Sequence, residues 1–183
     1  MDHYLEIKIK PDAEMPANVL LNKLYSKFHK ALCQLRADDI GVSFPDYRIL
    51  LGQRLRIHAT VERLQQMEQL DWLGDLSGYC AVSQIIAVPQ EVSYRTVSRI
   101  QQNMTFAKLR RLIRRGTIPE ADIKAYKAKM CAEGLSEPYL ELDSSSTGQK
   151  HRRYLSFGDL QSRPVNGFFD TFGLSKQATI PWF

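Results

Sequence analysis

Along the first half of this chain the hydrophobic residues change period in a fixed order, and that order constrains the fold more than any single motif does. Residues 3–10 alternate, with Leu5, Ile7 and Ile9 on one face, the two-residue period of a half-buried strand. Across residues 17–35 the spacing of Leu21, Leu24, Phe28, Leu32 and Leu35 switches to the helical period, predicting a helix that opens just past Pro16. Two strands are expected next. One covers residues 40–44 and is stopped by Pro45; the other covers residues 54–60, where Leu55, Ile57 and Ala59 alternate with Arg54, Arg56 and His58. A short helix over residues 61–70 and a strand over residues 80–88 complete the order β-α-β-β-α-β, which is ferredoxin-like and shared with RNA-recognition motifs.

Pro89, Gln90 and Glu91 mark a change of composition. Residues 1–91 are therefore expected as a ferredoxin-like domain and residues 92–183 as a smaller α+β domain. A chain of 183 residues that is 44% hydrophobic can bury one good core or two small ones. In the second part a basic helix over about residues 104–115 is ended by Gly116. Thr117 and Glu120 have capping-box spacing with Pro119 in the first turn, so a further helix should run to about residue 133. Strands are expected at residues 138–142 and 152–157, flanking a Ser-rich loop, and at residues 168–172.

Charge is distributed unevenly. Between Val92 and Pro119 stand Arg95, Arg99, Lys108, Arg110, Arg111, Arg114 and Arg115 with no Asp or Glu, although the whole chain carries only +5. On a helix advancing roughly 100° per residue, Lys108, Arg110, Arg111, Arg114 and Arg115 share an arc of about 160°. Phe106, Leu109, Leu112 and Ile113 fill the complementary arc, so one face can dock while the other presents cations. Clustered Lys and Arg gain most from releasing counterions condensed on phosphates, which points to RNA or DNA, and the width suits a duplex groove. The alternatives are a solvated face, which usually interleaves Glu, and a membrane-surface helix, which calls for Trp or a larger apolar face.

Several function classes are disfavoured. Cys33, Cys80 and Cys131 are odd in number and outside any CxxC spacing, and the four histidines show no ligand spacing, so neither a disulfide framework nor a metal site is expected. Phosphate-loop and nucleophile-elbow patterns are lacking, and no cofactor is expected. The charged start and the lack of a long apolar run predict a cytoplasmic protein with no membrane association. An ordinary RNA-recognition motif also fits poorly, because residues 54–60 lack aromatic side chains for stacking bases.

Two places could carry chemistry. His29, between Lys27 and Lys30, reads either as a helix-surface histidine or as an imidazole exchanging protons beside phosphates. The loop from Asp143 through Ser144, Ser145, Ser146, Thr147 and Gly148 to Gln149 reads either as a turn or as a cradle for a phosphate or ribose hydroxyl.

At these residues the chain resembles the CRISPR repeat-cleaving endoribonuclease family of type I-F systems over essentially its full length. The resemblance is carried by MDHYLEI, KFHKAL around His29, IGVSFP, GQRLRIHA, YRTVSRIQ, KLRRLIRR, SSSTGQ and the ending GLSKQATIPWF. It implies an enzyme that binds the hairpin of a CRISPR repeat, cuts on the 3′ side of its stem without metal, and stays bound to the guide RNA. A ribose 2′-hydroxyl attacks the adjacent phosphate, leaving a 2′,3′-cyclic phosphate and a 5′-hydroxyl. By the same resemblance His29 transfers protons, Ser144 orients the attacking hydroxyl, and Ser146 and Thr147 shape the loop. Arg99 and Gln101 read base edges at the foot of the stem, while Arg110, Arg111, Arg114 and Arg115 lie in its groove against the phosphates; Lys108, on the same helix face by phase, is expected to bind phosphate with them. His151 stands where relatives carry a stacking aromatic residue, and Phe172 where they carry a tyrosine. The implied partners are precursor and mature guide RNA and the other subunits of the type I-F surveillance complex, with a monomer expected when free. Two alternatives are a subunit that caps the hairpin without cutting and a DNA-binding regulator, the latter weakened by the lack of a helix-turn-helix.

Overall fold

In a computed structural model, the structure describes residues 1–100, 106–132, 137–143 and 150–183. The first half follows the predicted order. Strand β1 (His3–Ile9) leads into helix α1 (Ala17–Leu35), then β2 (Gly41–Ser43), β3 (Arg54–Ala59), helix α2 (Val61–Glu68), and the short strands β4 (Cys80–Val82) and β5 (Ile86–Ala87). The sheet order is β2-β3-β1-β4 with antiparallel neighbours, and β5 also pairs with β1, which makes the fold α+β and ferredoxin-like. The strand expected over residues 80–88 is broken at residues 83–85. There the Ser83 hydroxyl accepts the Glu6 N–H at 2.9 Å, displacing a ladder bond, while the Ser83 N–H donates to Glu6 O at 2.9 Å.

Alternation explains the core. Leu5, Ile7 and Ile9 of β1 and Leu55 and Ile57 of β3 meet Leu20, Leu24, Phe28 and Leu32 of α1 and Leu64 and Met67 of α2, all buried. The side of the sheet facing away from the helices is also covered. A Cβ at Gly41 would come 2.5 Å from Ile180 Cγ2 and 2.9 Å from Phe169 Cε1, and the Phe183 ring packs edge-on to Tyr4 at 5.1 Å. Arg56 and His58, set by alternation on that outer side, are consequently buried. The Arg56 guanidinium donates twice to Glu6 Oε2 at 3.0 and 2.7 Å and once to Phe183 O at 2.8 Å, and lies 4.1 Å over the Phe183 ring. His58 Nε2 is 2.8 Å from the Ser43 hydroxyl, and burial, aided by the Arg56 cation, pushes its pKa down to about 3. The face that RNA-recognition motifs use to stack bases is thus closed by the chain's own later residues.

The second half begins with β6 (Ser93–Arg95) and β7 (Val97–Ile100), followed by α3 (Phe106–Arg114), α4 (Glu120–Ala132), β8 (Tyr139–Asp143), β9 (Lys150–Phe157) and β10 (Ile180–Trp182). Strands β7, β9 and β8 form an antiparallel sheet, and β10 pairs with β6. Val97, Leu140, Leu142 and Leu155 join the same buried cluster as the first sheet, and the Glu141 N–H donates to Asn22 Oδ1 at 3.0 Å, tying β8 to α1. The strand expected over residues 168–172 is not formed. Asp170 holds a turn there instead, and the partner strand for β6 is supplied later, by β10. Among the described residues no helix is long and apolar enough to cross a membrane.

Candidate active site

The turn that replaces the expected strand is built by Asp170, Thr171, Phe172 and Gly173. Asp170 Oδ1 accepts the N–H groups of Phe172 at 2.9 Å and Leu174 at 3.0 Å, an Asx-type arrangement that curls the backbone back on itself. Gly173 has φ 69°, and a Cβ there would sit 3.1 Å from the Phe28 ring and 3.3 Å from Val42 Cβ, so both conformation and space call for glycine. The Val42 N–H donates to Gly173 O at 3.1 Å, fixing the turn to β2.

This turn presents two groups to α1. The Thr171 carbonyl lies 2.6 Å from His29 Nδ1. A carbonyl can only accept, so Nδ1 carries the proton in this contact and the neutral imidazole keeps its lone pair on Nε2. The Phe172 ring lies flat on the imidazole, with centroids 3.6 Å apart and planes 6° from parallel. The helix therefore supplies His29, while the turn sets both its tautomer and its plane. Cys33, one helical turn on, places Sγ 3.7 Å from Nδ1.

Phe172 is itself held from several sides. The buried Tyr25 hydroxyl donates to Phe172 O at 2.7 Å, and the Tyr25 ring stacks at 6.1 Å; burial drives the pKa of that phenol well above its ordinary value, so it stays a donor. Arg153 of β9 sets its guanidinium carbon 3.5 Å from the Phe172 centroid.

The β9 register carries the site onward. His151 and Arg153 are two residues apart and share the inward face, opposite Leu142 and Leu140 of β8, while Arg99 of β7 faces Leu155 on that side. Burial lowers the His151 pKa, and the Arg153 and Arg99 cations lower it further, against a small opposing pull from Asp143. Asp143 and Lys150 form the last pair before the Ser-rich connection. Ser144, Ser146, Thr147 and Gln101 lie outside the described residues.

Helix α3 begins within its predicted span and is closed as expected. Gly116 has φ 64°, its N–H donates to Ile113 O and that of Thr117 to Leu112 O, each at 3.0 Å. Leu109 is buried and Leu112 half-buried, whereas Lys108, Arg110, Arg111, Arg114 and Arg115 are all exposed. Among the described residues no carboxylate pairs with the four arginines. Ile113, assigned to the docked face, is instead 45% exposed, so the apolar contact is narrower than the four-residue arc implied. Arg95 leaves the cationic surface: its Nε donates to Gly158 O at 2.9 Å and its guanidinium lies 4.7 Å over Trp182.

Residue patterns did not single out Thr171, Tyr25 or Arg153. A backbone carbonyl leaves no trace in composition, and Tyr25 reads as one more apolar position of α1. Arg153 did leave a signal: a cation at an inward position of an alternating strand, between His151 and Leu155.

Fold and site together define a ferredoxin-like α+β protein with one positioned histidine and, separately along the chain, an exposed arginine-rich helix. The chain belongs to the family of CRISPR-associated proteins described as Cas_Csy4, whose model matches residues 4–183. It is 40% identical over 187 residues to the CRISPR-associated endonuclease Cas6/Csy4 of Pseudomonas aeruginosa (strain UCBPP-PA14), covering 100% of both chains. It is 38% identical over 184 residues to the protein of the same name in Escherichia coli (strain UTI89 / UPEC), again covering 100% of both. This is the family to which the motifs pointed.

Proposed function

We propose that the protein is an endoribonuclease that cuts precursor CRISPR RNA within each repeat, on the 3′ side of the hairpin stem, without metal, and remains on the mature guide RNA. The observation that carries the reading is His29. A histidine with one nitrogen tied to a carbonyl and its ring clamped on Phe172 is suited to moving protons through the other nitrogen. Full-length likeness to proteins named endonucleases supports the same class.

In this reading the bond between the ribose 2′-oxygen and phosphorus forms as the bond from phosphorus to the 5′-oxygen breaks, giving a 2′,3′-cyclic phosphate and a 5′-hydroxyl. The 2′-hydroxyl gives up a proton and the leaving oxygen takes one. His29 Nε2, able to accept a proton when neutral and return it as imidazolium, serves that exchange. Ser144 orients the nucleophile, with Ser146 and Thr147 shaping the loop. Arg99 and Gln101 read bases at the foot of the stem, because a guanidinium matches guanine and a carboxamide matches adenine. Lys108, Arg110, Arg111, Arg114 and Arg115 hold stem phosphates, and His151 stacks on the closing pair. Residues 1–91 supply the ferredoxin-like part and residues 92–183 most of the RNA contacts, in a cytoplasmic protein that works with the other subunits of a type I-F surveillance complex.

The test is incubation with the repeat RNA encoded beside its gene and identification of the new ends by mass spectrometry. A cyclic phosphate paired with a 5′-hydroxyl at one site is expected; a 3′-hydroxyl with a 5′-phosphate contradicts the mechanism. The second reading, a subunit that caps the hairpin without cutting, draws on Phe172, whose ring carries no hydroxyl beside His29. Tight binding with no products favours it.

A further inference from the structure

Three planar groups are layered here: the His29 imidazole, the Phe172 ring and the Arg153 guanidinium. The imidazole centroid is 3.6 Å from the phenyl centroid and the guanidinium carbon is 3.5 Å from it. Each distance is a single van der Waals layer, so the two groups cannot share a face and must lie on opposite sides of the ring. The guanidinium side is deep. Arg153 is only 5% exposed, and its Nε has no hydrogen-bond partner among the described residues.

Volume does not require an arginine at this place. Leu140 directly opposite and Leu142 and Leu155 beside it are buried aliphatics, whereas the other inward neighbours, His151 and Arg99, are half-buried and exposed, so at this depth an aliphatic side chain would pack at much lower cost than a desolvated cation. The cost shows in the guanidinium itself: burial lowers its pKa, with Arg99 pulling the same way against Tyr25 and Asp170. What Arg provides and Leu cannot is a charged plane on an aromatic face, an attraction that strengthens when both are dry. Phe172, fixed at its carbonyl by Tyr25 and on its ring by Arg153, then cannot turn about its side-chain bonds, and the imidazole lying on it keeps its plane.

We propose that Arg153 is a positioning residue for His29: its buried guanidinium holds the Phe172 ring as a plate on which the imidazole is aligned for proton transfer. The proposal rests on the endoribonuclease reading above for its kinetic consequence, and on the geometry alone for its structural one. Arg153 does not touch the reacting atoms. It acts through Phe172.

The test compares wild type with Arg153→Met, similar in length but uncharged, and with Arg153→Lys, charged but not planar. Three quantities are read: the single-turnover cleavage rate of the repeat hairpin at saturating protein, the Kd of a hairpin blocked by a 2′-deoxy nucleotide at the cut, and the NMR shift of the His29 ring protons, which the Phe172 ring current moves upfield. In Arg153→Met the rate is expected to fall about 10- to 100-fold, as small misplacements of reacting groups do. The Kd should hold, and the His29 protons should lose their upfield shift. Arg153→Lys is expected between the two on both readouts, and carries the test if the Met variant does not fold. An unchanged rate with an unchanged shift overturns the proposal, as does a wild-type rate and shift in Arg153→Lys. A loss of affinity that matches the loss of rate overturns it differently, by making Arg153 a direct RNA contact. If wild type itself does not cut, the endoribonuclease reading fails, and the His29 shift in the variants still decides whether Arg153 holds the stack.

Discussion

The imidazole of His29 lies flat against the ring of Phe172, 3.6 Å away and 6° from parallel, although the two residues are 143 positions apart in the chain. The ring thus acts as a floor for the histidine. Replacing Phe172 with Leu keeps an apolar contact but removes the plane, and the single-turnover cleavage rate is expected to fall about 10-fold or more with little change in hairpin Kd. Phe172→Tyr keeps the floor and should retain at least the wild-type rate.

His29→Ala removes the imidazole proposed to move protons and leaves the exposed arginines of α3 unchanged. Cleavage is expected to be lost and the affinity for the hairpin to stay close to wild type, measured by filter binding with the same RNA. A large loss of affinity would mark His29 as a structural residue and not as the proton carrier.

Arg114 and Arg115 stand exposed at the end of the basic helix, without carboxylate partners among the described residues. Each is expected to hold a phosphate. Substituting either by Ala should weaken hairpin binding and reduce the slope of log K against log salt by about 1, since each phosphate contact releases about one counterion. An unchanged slope in both variants removes the helix from the interface.

Gly173 has φ 69° and its missing Cβ faces Phe28 and Val42. Gly173→Ala is expected to destabilise the fold by about 1–3 kcal/mol, read from urea unfolding. It should also slow cleavage, because the same turn carries the Thr171 carbonyl that sets the His29 tautomer.

His58 makes stability depend on pH. Its imidazole titrates at 6.5 when unperturbed and at about 3 in the fold, chiefly because it is buried and secondly because Arg56 is near. Between those values the unfolded chain binds more protons, so this contribution to stability is fully present above about 6.5 and is lost as the pH falls toward 3. At pH 5 the loss is about 2 kcal/mol, at 1.36 kcal/mol per unit. Urea midpoints at pH 7 and pH 5 should show the drop, and His58→Gln should flatten it.

Much of this could be read from residue order. Local period dictates local structure, so β1, α1, β3 and α2 follow from spacings such as Leu21, Leu24, Phe28 and Leu32, and the antiparallel order of the first sheet follows from their succession. What escaped was decided at long range. The run around Phe169 and Phe172 has the composition of a strand, but the Asp170 carboxylate and the left-handed Gly173 turn it into a bend. Arg56 and His58 alternate as outward residues should, and are buried because Phe183 and Ile180 arrive from the far end of the chain. The site divides in the same way. His29 and the arginine helix stand out by type and clustering, whereas Thr171, Tyr25 and Arg153 matter only through where the fold brings them.

In the proposed mechanism the RNA supplies the nucleophile and His29 the proton traffic. The most direct measurement is cleavage of the repeat RNA in EDTA, comparing the natural strand with one carrying a single 2′-deoxy nucleotide at the cut. Cleavage of the natural RNA alone, with both RNAs bound equally, is the expected result. Cleavage of the deoxy strand, or activity on the natural strand that disappears in EDTA, contradicts it.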